Sequence, residues 1–286
     1  MMWLYYAVGS ALFAGATAIL AKVGIRKTDS DLATALRTIV VLICACLMVH
    51  MVGSYEGIYL IGRRTWIFLI LSGLATGASW LCYFRALQLS EVNKVAPVDK
   101  MSTVLTMLLA MIFLGEAVTR YKIIAMILIA LGTVLMTSGA GKSRKSGNRS
   151  WLLYAVLAAV FASLSAILGK IGIDGVESNL GTAIRTVVVL ILSWLIVFAR
   201  GKHRQFQNIT FRSGIYICLS GVTTGLSWLC YYRALQMGEA SVVVPIDKLS
   251  IVVTVVFSSL FLNEYLSKKA FAGLTFIVAG TIFLLL

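Results

Sequence analysis

The residues of this chain best placed to do chemistry are ionisable side chains lying within long apolar runs. Each has a copy 148 positions later: Lys22 and Lys170, Arg37 and Arg185, Arg85 and Arg233, Asp99 and Asp247, Lys100 and Lys248. Lysine and arginine in such places can hold carboxylates or phosphates. An acid beside them can pair with them or carry a proton. Asp99 follows Pro97 and Asp247 follows Pro245, and a proline there frees a carbonyl in the preceding turn. One reading is a pair of gates: Asp99 pairing with Lys22, Arg37 or Lys100, and Asp247 with Lys170, Arg185 or Lys248. The plainer reading is cations snorkelling from helix ends, with static pairs between helices.

A second repeated set is uncharged. Trp80, Tyr83 and Gln88 lie near one helical face, and Trp228, Tyr231 and Gln236 repeat them. Aromatic faces with a hydroxyl and an amide suit the lining of a polar cavity, and they can also hold an ammonium group. The alternative is an interfacial aromatic belt, but Trp80 lies deep in its run. Just before each set comes a G-x-x-x-G, Gly73 to Gly77 and Gly221 to Gly225. Small residues four apart let two helices approach closely. Glu116 and Glu264 close the Phe-Leu-Gly-Glu and Phe-Leu-Asn-Glu segments. Each is placed to cap the amide end of the helix that follows.

The elements that carry these residues are read from composition. The chain has 286 residues, 60% of them hydrophobic and 13% charged. Soluble domains are closer to half apolar and about a quarter charged, so a water-soluble fold is close to excluded. Ten apolar runs, 3–22, 31–51, 65–88, 95–114, 120–138, 151–170, 180–199, 213–236, 241–262 and 268–286, are long enough to cross a bilayer. They should be helices, because lipid offers no partner to an unpaired backbone group. The first run lacks the basic flank of a signal peptide. The five cysteines all fall within apolar runs with no metal-ligand or disulfide spacing, and neither His50 nor His203 recurs in the other half.

The offset of 148 is constant, and residues 3–138 align with 151–286 without a gap. The expected organisation is a first five-helix repeat over 1–138, a basic linker over 139–150 and a second repeat over 151–286. Five is odd, so the second repeat enters the membrane from the opposite side, and the fold is an inverted repeat. Most loop cations then collect on one face, among them Arg26, Lys27, Lys142, Arg144, Arg200, Lys202 and Lys268. The positive-inside rule makes that face cytoplasmic and puts both termini outside, in a multi-pass plasma (inner) membrane protein. The net charge of +14 is mostly this topology signal, so nucleic acid is not an expected partner.

At these residues the chain resembles the EamA-type transporters of the drug/metabolite transporter (DMT) superfamily. The likeness rests on Lys22 and Arg37, Ala86-Leu87, Pro97, Thr106 and Leu114-Gly115-Glu116, and on their copies. Those copies are Lys170 and Arg185, Ala234-Leu235, Pro245, Thr254 and Leu262-Asn263-Glu264. It covers both halves. The resemblance implies ten helices, a central cavity between inverted halves and transport, often export, of small metabolites. Asp99-Lys100 and Asp247-Lys248 stand where the family usually has uncharged residues, and Arg85 and Arg233 are also unusual.

These charges favour a charged or zwitterionic solute. The leading expectation is a secondary active exporter of a small polar or zwitterionic metabolite, such as an amino acid, working by alternating access. The alternatives are a transporter of phosphorylated or carboxylated anions, a channel, and a scaffold without transport. No enzyme signature such as H-E-x-x-H, a P-loop or G-x-S-x-G occurs, so no catalysis, cofactor or metal is expected. Expected partners are a small-molecule substrate, membrane lipid and a coupling proton. A monomer and a homodimer both fit.

Overall fold

The computed structural model describes residues 2–24, 28–89, 95, 98, 100–138, 150–262 and 267–285. Regular structure among the described residues is helical: α1 (Met2–Gly24), α2 (Ser30–Val52), α3 (Arg63–Leu89), α4 (Ser102–Phe113), α5 (Arg120–Ser138) and α6 (Ser150–Gly172). The series continues with α7 (Ser178–Ala199), α8 (Phe211–Met237), α9 (Ala240–Lys248), α10 (Ser250–Leu262) and α11 (Lys268–Phe283). Among the described residues, seven helical stretches are long and apolar enough to cross a membrane. Large apolar side chains such as Ile43, Leu47, Ile127, Leu131 and Leu195 stand exposed on them. That is the surface a helix presents to lipid rather than to water.

The helix ends follow from local sequence, and the two repeats end them alike. The Asp29 carboxylate accepts the N–H groups of Asp31 (3.0 Å) and Leu32 (3.4 Å) at the start of α2. Its repeat equivalent Glu177 accepts those of Asn179 (2.9 Å) and Leu180 (3.1 Å) at the start of α7. Both satisfy amides that the first turn leaves unpaired. At the other ends, Gly53 (φ +70°) and Gly201 (φ +66°) turn left-handed, a conformation costly for any residue with a β-carbon. A seven-residue 3₁₀ segment follows each, Ser54–Leu60 and Lys202–Asn208.

The chain groups into two compact units: Met1–Gly77 with Leu168–Gly238, and Ala78–Ile167 with Glu239–Leu286. Each draws on both sequence repeats. In the first unit α1 lies on α8, and α2 lies on α7 and α8. A β-carbon added to Gly73 of α3 would stand 2.7 Å from Val188 Cβ of α7, and one on Gly221 of α8 would stand 2.6 Å from Val40 Cβ of α2. Val188 is the repeat equivalent of Val40, so the contact is made twice. Each repeat lends its glycine face to the second helix of the other. Without a hydrophobic force between helices in lipid, such close backbone packing is what holds them together.

In the second unit α5 lies on α11, and α9 lies on α4. Here Gly132 faces the Gly273 carbonyl oxygen, its β-position 2.6 Å away, and Gly280 faces Ile129 at 3.0 Å. Met107, Ala125 and Ile129 form a buried cluster with Phe283 and Leu284 against it. The ninth expected span is not one helix. It breaks at Leu249, where the amide donates to Ile246 O (3.0 Å) in a single turn of 3₁₀ type. Met101, 148 positions earlier, makes the same turn to Val98 O (3.2 Å).

Candidate functional site

Arg185 of α7 is buried, 4% exposed, inside the first unit. Its Nε donates to Ser72 Oγ (2.9 Å) and its Nη2 to Thr76 Oγ1 (2.5 Å), both on α3. The guanidinium lies 5.1 Å from the centroid of the Trp228 ring and 4.7 Å from that of Tyr232, both on α8. Three helices thus surround one cation with hydroxyl acceptors and aromatic faces. A cation desolvated against an aromatic ring gains about 2 kcal/mol. Gly169 makes room for this arrangement. A β-carbon there would stand 2.9 Å from Tyr232 Cε1 and 3.1 Å from Ser72 Oγ.

The repeat equivalent, Arg37, is treated differently. Of the matching hydroxyls, Ser220 Oγ donates to Ile217 O (2.8 Å) and Thr224 Oγ1 to Ser220 O (2.6 Å). Thr17 Oγ1 donates to Thr223 Oγ1 (2.9 Å) beside them. Arg37 itself is half-buried on α2.

Lys170, an expected gate residue, donates to the carbonyls of Leu235 (2.7 Å) and Gly238 at the end of α8. A lysine there offsets the negative end of the helix dipole and satisfies carbonyls that the last turn leaves open. Gln236 is anchored on backbone. Its Nε2 donates to Ile173 O (2.9 Å) and Val176 O (2.6 Å), and its Oε1 accepts from Arg233 Nη1 (2.8 Å). Trp228 is brought to Arg185, whereas Tyr231 stands edge-on to Tyr232 at 5.2 Å.

At one end of α2 the caps become ion pairs. Lys202 Nζ lies 2.6 Å from Asp29 Oδ2, and Arg200 Nη1 lies 2.8 Å from Asp31 Oδ2. Burial pushes the Asp29 carboxyl up, but the Lys202 hydrogen bond and charge and two backbone amides together outweigh it. They hold it below the ordinary carboxylate value.

In the second unit Asp247 and Lys248 close α9 immediately before its break, their charged atoms 3.7 Å apart. Glu116 is buried and accepts the amides of Ala240 (2.6 Å) and Ser241 (2.9 Å). It therefore caps α9, not the helix that follows it in sequence as expected. Lys122 pairs with Glu239 at 2.6 Å. Tyr83 packs with Ala86, Val95 and Ala155, Trp80 is half-buried and Lys100 is exposed. Asp99 and Glu264 lie outside the described residues, as do the side chains of Lys22 and Gln88.

Ser72, Thr76 and Tyr232 were not among the expected site residues. Ser72 and Thr76 carried a signal, since they repeat as Ser220 and Thr224 at the same offset. Tyr232 carried none, because its equivalent is Phe84.

Helices with lipid-facing apolar surfaces, internal repetition and enclosed charge define a multi-pass membrane protein of duplicated helical bundles. The model of the EamA-like transporter family matches residues 1–138 and again 149–286, and the chain belongs to that family. The family lies within the drug/metabolite transporter superfamily, and the chain is a membrane transporter. An uncharacterized transporter from the cobO 3' region of Sinorhizobium sp. is 45% identical over 137 residues, 48% of this chain and 97% of that protein. That relative is thus about one repeat long. An uncharacterized transporter of Archaeoglobus fulgidus is 25% identical over 72% of this chain and 70% of its own length. A solved crystal structure superposes with a TM-score of 0.82 at 16% identity, over 99% of this chain and 97% of its own. That likeness shows the fold.

Proposed function

We propose that the chain is a secondary active carrier that exports a small polar or zwitterionic metabolite, such as an amino acid, by alternating access. The observation that carries this reading is the broken span ending in Asp247-Lys248, with the same turn at Met101 after Lys100. Transporter sites are commonly built where a membrane helix is interrupted and its freed backbone groups can meet a solute. Charge of both signs at such a break suits a solute carrying both signs. The gate sets around Asp99 and Asp247, and the stripes at Trp80, Tyr83 and Gln88 and at Trp228, Tyr231 and Gln236, remain part of this reading. So does a basic linker on the cytoplasmic side.

Transport of carboxylated or phosphorylated anions is a second reading, favoured by Arg185, a buried cation inside the first unit. Counterflow in proteoliposomes separates the two. Saturable exchange of labelled amino acids, absent for phosphorylated solutes, supports the first reading. Exchange of phosphorylated solutes alone supports the second, and non-saturating flux means a channel.

A further inference from the structure

The repeat puts the same place in the fold at both ends of α2 and α7, and the first unit treats the two places differently. At one end Arg200 reaches Asp31 and Lys202 reaches Asp29. The repeat equivalents at the other end are Val52 with Asn179, and Ser54 with Glu177. Val52 and Asn179 cannot form an ion pair, and Ser54 Oγ only donates to Glu177 Oε2 at 3.1 Å. A cavity of about 300 Å³ takes the place of the Arg–Asp pair, with Tyr6, Val52, Glu177, Asn179 and Arg233 around it. That is the lower end of the usual range for small-molecule sites, about 300–1,000 Å³.

Arg233 gives this cavity its chemistry. Gln236, anchored on two carbonyls, takes one N–H of the guanidinium and so fixes its position. A guanidinium has five N–H donors in a planar fork that matches a carboxylate. Glu177 brings a negative charge to the same wall, with its oxygens held by the α7 cap, by Asn179 Nδ2 and by Ser54. The remaining wall is aliphatic, with Met48, Val52 and Leu229.

We propose that this cavity is a recognition site for a small carboxylate with an apolar body, its carboxylate on Arg233 and its body against Met48, Val52 and Leu229. The inference rests on the reading above in one respect, that the transported solute bears a carboxylate. An amino acid with an aliphatic side chain meets these demands and fits the volume.

The test is equilibrium binding of labelled leucine to the full chain in lipid nanodiscs. Two competitors are used: 4-methylpentanoate, which lacks the amine, and isopentylamine, which lacks the carboxylate. Leucine should bind, 4-methylpentanoate should displace it and isopentylamine should not. Arg233→Gln should weaken leucine binding at least tenfold, with part regained in Arg233→Lys. A second variant leaves Arg233 intact and transplants the ion pair, Val52→Arg with Asn179→Asp. It should close the cavity and weaken binding at least tenfold too, while remaining monodisperse. Wild-type affinity in both variants overturns the site, as does displacement by isopentylamine or no carboxylate binding to the wild-type chain. Leucine binding without counterflow of any solute would leave the site standing and sink the carrier reading. Counterflow that survives both variants unchanged would do the reverse.

Discussion

Arg200 Nη1 stands 2.8 Å from Asp31 Oδ2, which pins the end of α7 to the first turn of α2. Lys202 and Asp29 repeat the tie 2.6 Å apart. Because the folded Asp29 carboxyl is held below its ordinary value, its contribution is present above the unfolded pKa of about 3.9 and lost as pH falls through the folded value. Thermal unfolding should therefore be insensitive to this group from pH ~8 to ~5 and weaken below about 4. Lys202→Gln should lower the midpoint at neutral pH and flatten the acid limb. Acid loss that is as steep in the variant as in the wild type would contradict the pairing.

The spans, the repeat and the glycine faces were legible in the sequence, because apolar run length and small-residue spacing are local patterns. Gly73 and Gly221 were expected to seat a helix, and each does. What the sequence did not carry was the identity of partners distant along the chain. Glu116 was recognisable as a cap, but its helix begins 124 residues later at Ala240. The spacing of Gln236 from Trp228 places both near one helical face. Yet two carbonyls near the end of α6 claim its amide, and carbonyls that a helix end exposes leave no trace in residue type. The break at Leu249 had a partial signal in Pro245, four residues earlier, but nothing in the run 241–262 marks the turn itself.

The glycine contacts predict a graded series. A β-carbon on Gly77 would meet the flexible end of Leu192, which can move, whereas one on Gly221 would meet the branched Val40 Cβ and the Arg37 carbonyl oxygen. On Gly273 it would meet the backbone nitrogen of Met136. Gly77→Ala should cost least and Gly273→Ala most, spanning about 1–3 kcal/mol as overpacked sites do. Unfolding in mixed detergent measures the order, and equal midpoints for all three would refute the packing.

Glu116 should behave as a cap and not as a proton carrier. Glu116→Ala should destabilise the chain by about 0.5–2 kcal/mol, the cost of losing a cap. Glu116→Gln, which keeps a carbonyl acceptor for the α9 amides, should recover part of that. Neither should change how transport responds to a pH gradient. A lost response in Glu116→Gln, with the fold intact, would assign the residue to coupling instead.

Arg185 joins three helices, so its removal should be read through two variants. Thr76→Val deletes one acceptor and should cost about 0.6 kcal/mol, typical of intramembrane hydrogen bonds and at most about 1.7. Arg185→Gln also loses the ring contacts to Trp228 and Tyr232, and transport should fall at least tenfold. The Trp228 emission should shift as well, because the cation leaves its ring face. An unshifted spectrum would place the guanidinium elsewhere.

Asp247 offers the sharpest prediction, because two roles for it diverge in one assay. Counterflow exchanges solute for solute with no net proton movement. Accumulation against a pH gradient requires a proton to travel. If Asp247 only carried a proton, Asp247→Asn would keep counterflow and lose accumulation. If its charge is needed to switch between conformations, both are lost. Asparagine preserves the size of the side chain, and Asp247 stands at a helix break beside Lys248, so what the variant removes is charge. Lys248 would then lose the carboxylate beside it. The expected result is loss of both activities at normal membrane insertion. Asp99→Asn should do the same, because the second repeat carries the same acid at the same place. Counterflow at wild-type rates in both variants would remove these carboxylates from the mechanism.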